Sequence, residues 1–348
     1  MATPCPPRGD QKMSTEILIV GGYGRVGTHL AHALQNRGYG VIVAGRSEAS
    51  AAKAAARLGC RHATIDLEQP HTWEAAASTC DLVACCMDQV ETHFVRWVLE
   101  TGRDYVDITA SDEFYRAVEA LDSTAIRTGA SATLSVGLAP GMTNLLVKAA
   151  ATRLDACSDA RIGLFLGLGE RHGNAAIRWF LDSFSQTGNR TVLEKVRFPN
   201  LPSASWAAPL DIADQHVVQR TLGLPAARTL VTVESSRWTR TAVKLGPALK
   251  LRGLRWLVEY LALRAHFGSE AWALAIEVSG TRGGKSQVSR ATLNGKIEAE
   301  STAMIAARVI ELLPSRRRPG VHHIEQIFDV SEICSILDNR PVLTLTSA

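Results

Sequence analysis

The sequence lacks several features that would settle its class at once. It has no large excess of one charge: 38 basic against 34 acidic residues leave a net +4. That is too little for a nucleic-acid partner and enough for a phosphorylated small molecule. None of the seven cysteines (Cys5, Cys60, Cys80, Cys85, Cys86, Cys157, Cys334) forms a C-x-x-C pair, and no histidine lies at zinc-ligand spacing from them. The common zinc patterns are therefore excluded and no metal is expected. The odd, scattered count suits a reducing cytoplasm. No run approaches ~18 uninterrupted apolar residues, so neither a membrane span nor a membrane partner is expected. The opening stretch, MATPCPPRGDQKM, is polar and proline-rich and has no apolar core of signal-peptide length. It reads as a disordered leader over residues 1–13, with Met13 an alternative start. There is no internal repeat and no low-complexity tract.

What is present fits two domains. The chain has 348 residues, 46% hydrophobic and 21% charged, too long for one ordinary core. EILIV (16–20) reads as a buried strand. A glycine-rich turn and the periodic helix THLAHALQNRG follow. Further strands are expected over 39–46, 62–68, 81–87, 104–109 and 131–141. Helices fill the gaps at 47–59, 71–79, 90–102 and 112–129. Ser47 and Gly59 are the expected cap and stop of the second helix. This alternation predicts a doubly wound parallel sheet covered on both faces, over residues 14–145.

From about residue 145 the pattern changes. A helix (NLLVKAAATRL), a strand (ARIGLFLGLG) and a helical stretch (173–190) precede an irregular, proline-bearing stretch at 197–216. TLVTVESS is a strand candidate, and 247–268 an amphipathic helix rich in Leu, Arg and Trp. EAWALAIEVSG and KSQVSRATL form an expected hairpin through residues 281–284. A turn at Asn294–Gly295 would add a third antiparallel strand, and 301–313 is helical. Residues 146–314 therefore read as an α+β domain with a mixed or antiparallel sheet, and 315–348 as a C-terminal segment.

The motif that carries chemistry is Gly21–Gly22–Tyr23–Gly24–Arg25–Val26–Gly27. Gly22, Gly24 and Gly27 match G-x-G-x-x-G, follow a strand and open a helix, which is the Rossmann context. Gly22 allows the tight turn, Gly24 lets backbone approach a pyrophosphate, and Gly27 lets helix pack on strand. The anion then rests on free N–H groups at the helix N-terminus. The second strand ends in Arg46–Ser47, where NAD enzymes carry an acidic residue for the ribose. A guanidinium there, with the Ser47 hydroxyl and with Arg25 assisting, favours a 2′-phosphate, hence NADP. Asp66 is placed to face the adenine.

GGYGRVG, AGR, YVDIT and GLAPGMTNLL, followed by VSGTRGGK, ESTAMIAARVIELL and RPGVHHIEQIFD, resemble the saccharopine dehydrogenase (saccharopine reductase) family, over about residues 16 to 330. The Gly-x-x-Pro-Gly-x-x-Asn stretch at 137–144 is the most specific part. The resemblance implies an NADP-binding Rossmann domain, an inserted substrate and dimerisation domain, and a last segment packing back on the first. It also implies a homodimer, and hydride transfer to or from a carbon–nitrogen bond through an imine. By position it assigns the phosphate loop to Gly22, Gly24, Arg25, Val26 and Gly27, with Tyr23 inside the turn. It gives the 2′-phosphate to Arg46 and the cofactor-lining strand end to Cys85, Cys86 and Met87. The edge of the nicotinamide site falls to Asp107 and the 137–144 loop, from Gly137 to Asn144. Ala139 stands where many members have Asp. No cluster of cations suited to a tricarboxylate is visible, which disfavours saccharopine itself.

Ligands of open parallel sheets bind beyond the carboxyl ends of the strands. That selects Met87–Asp88–Gln89, Thr109–Ala110–Ser111 and 138–144. Candidate acids are Asp107, on an otherwise apolar strand, Glu170–Arg171–His172, after a strand of the second half, and Lys285, after the hairpin turn. Asn144 would sit near the nicotinamide amide. Each also has a plain structural reading: a carboxyl satisfied by backbone, a solvated loop, a turn lysine, a helix cap. Cys85 and Cys86 read as small core residues, the tryptophans as core or dimer interface, and Arg316–Arg317–Arg318 as a solvated loop. An NADPH-dependent C=O or C=C reductase, a non-catalytic NADP-binding sensor and an internal redox cycle with retained cofactor are the competing functions.

Overall fold

The computed structural model describes residues 16–170, 174–186, 191–262, 268–337 and 339–347. Two seven-stranded sheets organise them. The first contains β1 (Glu16–Val20), β2 (Gly40–Gly45), β3 (Arg61–Thr64), β4 (Leu82–Cys85), β5 (Asp104–Asp107) and β6 (Ser131–Leu134). The second contains β7 (Ala156–Leu166), β8 (Glu194–Val196), β9 (Ser205–Leu210), β10 (Ala227–Val233), β11 (Ala271–Arg282) and β12 (Lys285–Lys296). The last two strands divide between the sheets. β13 (Gly320–His323) pairs with β6, and β14 (Val342–Ser347) with β12. The first sheet runs β13-β6-β5-β4-β1-β2-β3 and is parallel throughout. The second runs β14-β12-β11-β7-β10-β9-β8 and is mixed, with β7 and β10 parallel.

The helices of the first unit are α1 (Arg25–Gln35), α2 (Glu48–Leu58), α3 (Trp73–Ala77), α4 (His93–Glu100), α5 (Asp112–Glu119) and α6 (Asp122–Thr128). Those of the second are α7 (Thr143–Ala151), α8 (Asn174–Ser185), α9 (Ala213–Leu222), α10 (Ser236–Leu245), α11 (Arg252–Ala262) and α12 (Glu298–Arg316). Local signals account for several ends. The Ser47 hydroxyl accepts the Ser50 N–H at 3.2 Å, and Gly59 stops α2 in a left-handed conformation.

The strand β1 shows why the first sheet needs cover on both faces. Ile17 and Ile19 enter one core, and Leu18 and Val20 the other. The first of these cores is shared. Leu145 and Leu146 of α7 and Ile305 and Val309 of α12 join it to Ile162, Leu164 and Leu274 of the second sheet. Helix α12 also packs along α1. The two units are thus welded by burial of about 25 cal/mol per Å² of apolar surface along one seam.

Four expectations need correction. The stretch at 197–216 is not irregular throughout, because β9 and the start of α9 lie in it. Pro209 is tolerated in β9 because β8 pairs only with Ser205, Trp206 and Ala207, leaving an edge at the proline. Asn294–Gly295 is not a turn; both lie inside β12, opposite Ala273 and Trp272. Gly295 is there because its Cβ would meet the Trp272 indole at 2.4 Å. The single helix expected over 112–129 is two, since Asp122 restarts it and its carboxylate accepts the Val321 N–H at 2.8 Å. Finally, α10 had not been expected; Ser235 caps it by accepting the Trp238 N–H.

Candidate functional site

The turn between β1 and α1 has no room for side chains. A Cβ on Gly22 would lie 2.7 Å from the Ile19 carbonyl oxygen, and one on Gly27 2.4 Å from that of Gly21. The turn is pinned by the Gly21 and Gly22 N–H groups, which donate to the Ala44 carbonyl at 2.9 and 3.1 Å. Gly24 is the N-cap of α1 and offers no side chain to its first-turn N–H groups. Those of Arg25, Val26 and Gly27 have no partner within the helix, and no acidic residue lies in that turn. This is a cradle for an anion. Beside it the Tyr23 ring covers Gly45 so closely that a Cβ there would be 2.4 Å from the ring, and the Tyr23 hydroxyl accepts the Ser47 N–H at 3.4 Å. Arg46 follows, exposed at the end of β2. A dinucleotide carrying a 2′-phosphate fits these features.

Beyond the ends of β4, β5 and β6 opens a cleft of about 920 Å³. Its first wall is Val26, Cys86, Met87 and Asp88, then Ile108, Ala110 and Ser111, then 137–140. The 137–142 loop enters α7 through a cis Ala139–Pro140 peptide and Gly141, whose φ of +134° no side chain would adopt readily. The opposite wall comes from the second unit: Gln186 after α8, Asp211, Ala213 and His216 around α9, and Glu298 and Thr302 of α12. Five acidic residues, Asp88, Asp112, Glu113, Asp211 and Glu298, line the cleft with one arginine, Arg116, and one histidine, His216; Asp112 is also bound by Arg220 at 2.7 Å. Arg116 is itself held by Asp112 at 2.9 Å. His216 Nε2 meets Asp211 Oδ1 at 2.5 Å, and Gln215 donates to the same oxygen at 2.8 Å.

The sequence candidates separate in space. Asp107 is fully buried beneath the cleft. It accepts from the Tyr105 hydroxyl, from Gln89 Nε2 at 3.3 Å and from the Thr109 N–H at 2.7 Å. Burial raises its pKa to about 6, against the pull of those hydrogen bonds. Burial also pushes the Cys85 and Cys86 thiols up, away from nucleophilic use. Asn144 is buried with its amide turned from the cleft: Nδ2 donates to Glu325 at 3.0 Å, and Oδ1 accepts from Gly141 N–H and the Thr143 hydroxyl. It fixes the loop rather than lining the site. Lys285 opens β12 at the far tip of the hairpin, whereas Glu298 marks the end that faces the cleft. About eleven residues of strand, on the order of 35 Å, separate those ends. His172 and Arg171 lie outside the described residues.

Arg25 turns to the second unit instead of the ribose end, donating from Nε to Glu170 at 3.2 Å. Glu170, almost fully buried, also accepts the Glu298 and Ala299 N–H groups at 2.5 and 3.1 Å and so caps α12. The Ser47 hydroxyl is spent on capping α2, and the Asp66 carboxylate on the Glu68 N–H and on Gln69 within its own turn. Sequence reasoning missed Asp112, Glu113, Arg116, Asp211, His216, Glu298 and Thr302. No local motif marks them; the second unit's contributions meet the first only through the fold. Among the described residues no group of His, Cys, Asp and Glu is arranged to hold a metal, and no helix is long and apolar enough to cross a membrane.

Residues 17–134 match the family described as the saccharopine dehydrogenase NADP binding domain, so the cofactor of this unit is NADP(H). A search of the curated proteins finds no match. Among solved structures, the apo saccharopine dehydrogenase (L-Glu forming) of Saccharomyces cerevisiae aligns with a TM-score of 0.67 at 13% identity, covering 95% of this chain and 100% of that one. The DAP dehydrogenase of C. glutamicum in complex with DAP aligns at a TM-score of 0.48 and 15% identity, covering 90% of this chain and 94% of that one. At such identities the first likeness speaks to the fold alone, over 95% of this chain.

Proposed function

We propose, from the match of residues 17–134 to the saccharopine dehydrogenase NADP binding domain and a fold shared with a saccharopine dehydrogenase, that this chain is an NADPH-dependent oxidoreductase acting on a carbon–nitrogen bond of a small, amine-bearing metabolite. The observation that carries this reading is the carboxylate-rich lining of the cleft. An imine is reduced as its protonated iminium, and a secondary amine is cationic at neutral pH. Both are stabilised by surrounding carboxylates in a recess of lowered dielectric. A neutral ketone or enoyl group gains nothing from them, and a tricarboxylate is repelled.

NADPH, when bound, supplies the hydride. The first-turn N–H groups of α1 hold the diphosphate, Arg46 the 2′-phosphate, and Tyr23 buttresses the turn between them. Cys86, Met87 and Gly137 flank the nicotinamide end, with Asp107 and Asn144 bracing the floor and the loop from behind. His216 is the group placed to exchange a proton with the substrate nitrogen. Asp211 engages Nε2, which leaves Nδ1 for the ligand.

The test is NADPH oxidation with matched panels of imines, ketones and enoyl compounds. Turnover of imines formed from an amine and a carbonyl compound is expected. His216→Gln should lower kcat by about 100-fold with little change in NADPH affinity. Turnover confined to ketones or enoyl compounds overturns the carbon–nitrogen reading.

A further inference from the structure

The amphipathic stretch before the hairpin is not absorbed by the cleft. The single helix expected over 247–268 is instead a short 3-10 turn over Gly246–Lys250 followed by α11 from Arg252, and the unexpected α10 precedes them. Six of the eleven large apolar side chains exposed among the described residues lie here: Trp238, Leu245, Leu251, Trp256, Leu257 and Tyr260. Trp256 and Leu251 are each 65% exposed. On α10, Trp238 and Leu245 are seven residues apart and share a stripe. On α11, Trp256 and Tyr260 are four apart and stack at 5.4 Å. The exposed charges between them are all positive: Arg237, Arg240, Lys244, Lys250 and Arg252. Glu259, the one carboxylate within these two helices, is tied to Arg178 at 2.7 Å.

We propose that this face docks on an anionic lipid bilayer, so that the enzyme works at a membrane surface without crossing it. Tryptophan, tyrosine and leucine interleaved with cations on short amphipathic helices match the interfacial zone of a bilayer, where the rings sit among the headgroups and the cations meet lipid phosphates. The charge pattern decides between occupants. A second copy would set five cations against the same five across a two-fold axis, and the described carboxylates nearest them, Glu259 and the exposed Asp182 of α8, are already tied to Arg178 and Arg255. An anionic lipid surface answers all of them. The expectation of no membrane partner rested on the lack of a long apolar run, and the exposed aromatic and basic face argues against it.

The test uses the full chain and sedimentation with vesicles. The protein should pellet with vesicles of equal parts phosphatidylcholine and phosphatidylglycerol, stay in solution with phosphatidylcholine alone, and be released by salt. Tryptophan emission should shift to the blue on binding. The double variant Trp256→Glu/Leu257→Glu should abolish pelleting while NADPH affinity and the unfolding midpoint stay unchanged. The triple variant Arg237→Ser/Lys244→Ser/Arg252→Ser should weaken binding about fivefold per cation removed. Failure to pellet with the anionic vesicles, or undiminished pelleting of the variants, overturns the proposal. So does a dimer, seen by light scattering, that Trp256→Glu dissociates, because the face then belongs to a second copy.

Discussion

Replacing Gly27 by alanine probes the cradle at its tightest point. The new Cβ would stand 2.4 Å from the Gly21 carbonyl oxygen and 2.7 Å from the Gly22 Cα. Reaching the 3.4 Å of ordinary contact needs a retreat of 1.0 Å by backbone, not by a flexible side chain. That backbone is held by two N–H donations to Ala44. Straining one of them costs about 1 kcal/mol, and overpacking costs about 1–3 kcal/mol more. If roughly 2 kcal/mol of the total falls on the loop that receives the diphosphate, NADPH affinity drops about 30-fold. Calorimetric titration with NADPH, run beside urea unfolding, separates the two places where the strain can appear. Gly253→Ala is the control: it sits in the first turn of α11 with open space around it, and should be neutral or slightly stabilising. A Gly27→Ala protein that binds NADPH within twofold of the parent would refute the cradle, and it would do so even if the protein were less stable.

Three further outcomes follow from the same geometry. Arg46→Asp should weaken NADPH about 10- to 100-fold while leaving NADH within a few-fold, as fluorescence titration would show; equal losses contradict the 2′-phosphate contact. Glu170→Ala removes the acceptor of the Arg25, Glu298 and Ala299 bonds and should lower unfolding free energy by about 2 kcal/mol, read from urea melts; no change would mean that α12 is not capped from across the cleft. Asp107 gives a pH signature. Its pKa rises from 3.8 to about 6 in the fold, so between those values the folded state holds more protons than the unfolded one. Its contribution is therefore fullest below pH 3.8 and is lost as pH rises through 6, about 3 kcal/mol in all. Relative to the parent, Asp107→Asn should gain stability at pH 7 over pH 4, and a difference constant with pH would count against the burial.

Where the sequence was legible, the cause was local. The β1–α1 turn announces itself because backbone contacts at Gly22 and Gly27 exclude any Cβ. The parallel sheet announces itself because strands buried on both faces must be apolar throughout. The hairpin from β11 to β12 was readable for the same reason, through Gly283 and Gly284 with positive φ. Legibility failed where one local signal had two causes. Gly295 looked like a turn residue and is a slot for Trp272. Pro209 looked like a break and sits on a strand edge.

By itself the sequence determined the glycine cradle, the position of Arg46 at the end of the second strand, and the order of strands and helices in the first half. Each depends on φ, period or spacing within a few residues. Only the tertiary structure decided the cleft. It set Asp88 and Glu113 opposite Asp211, His216 and Glu298, sent Arg25 to Glu170, and left Lys285 at a remote hairpin tip and Asn144 behind the loop. Those placements are made by packing two sheets along one apolar seam through α7 and α12. Chain segments more than a hundred residues apart then meet at a distance no local pattern encodes.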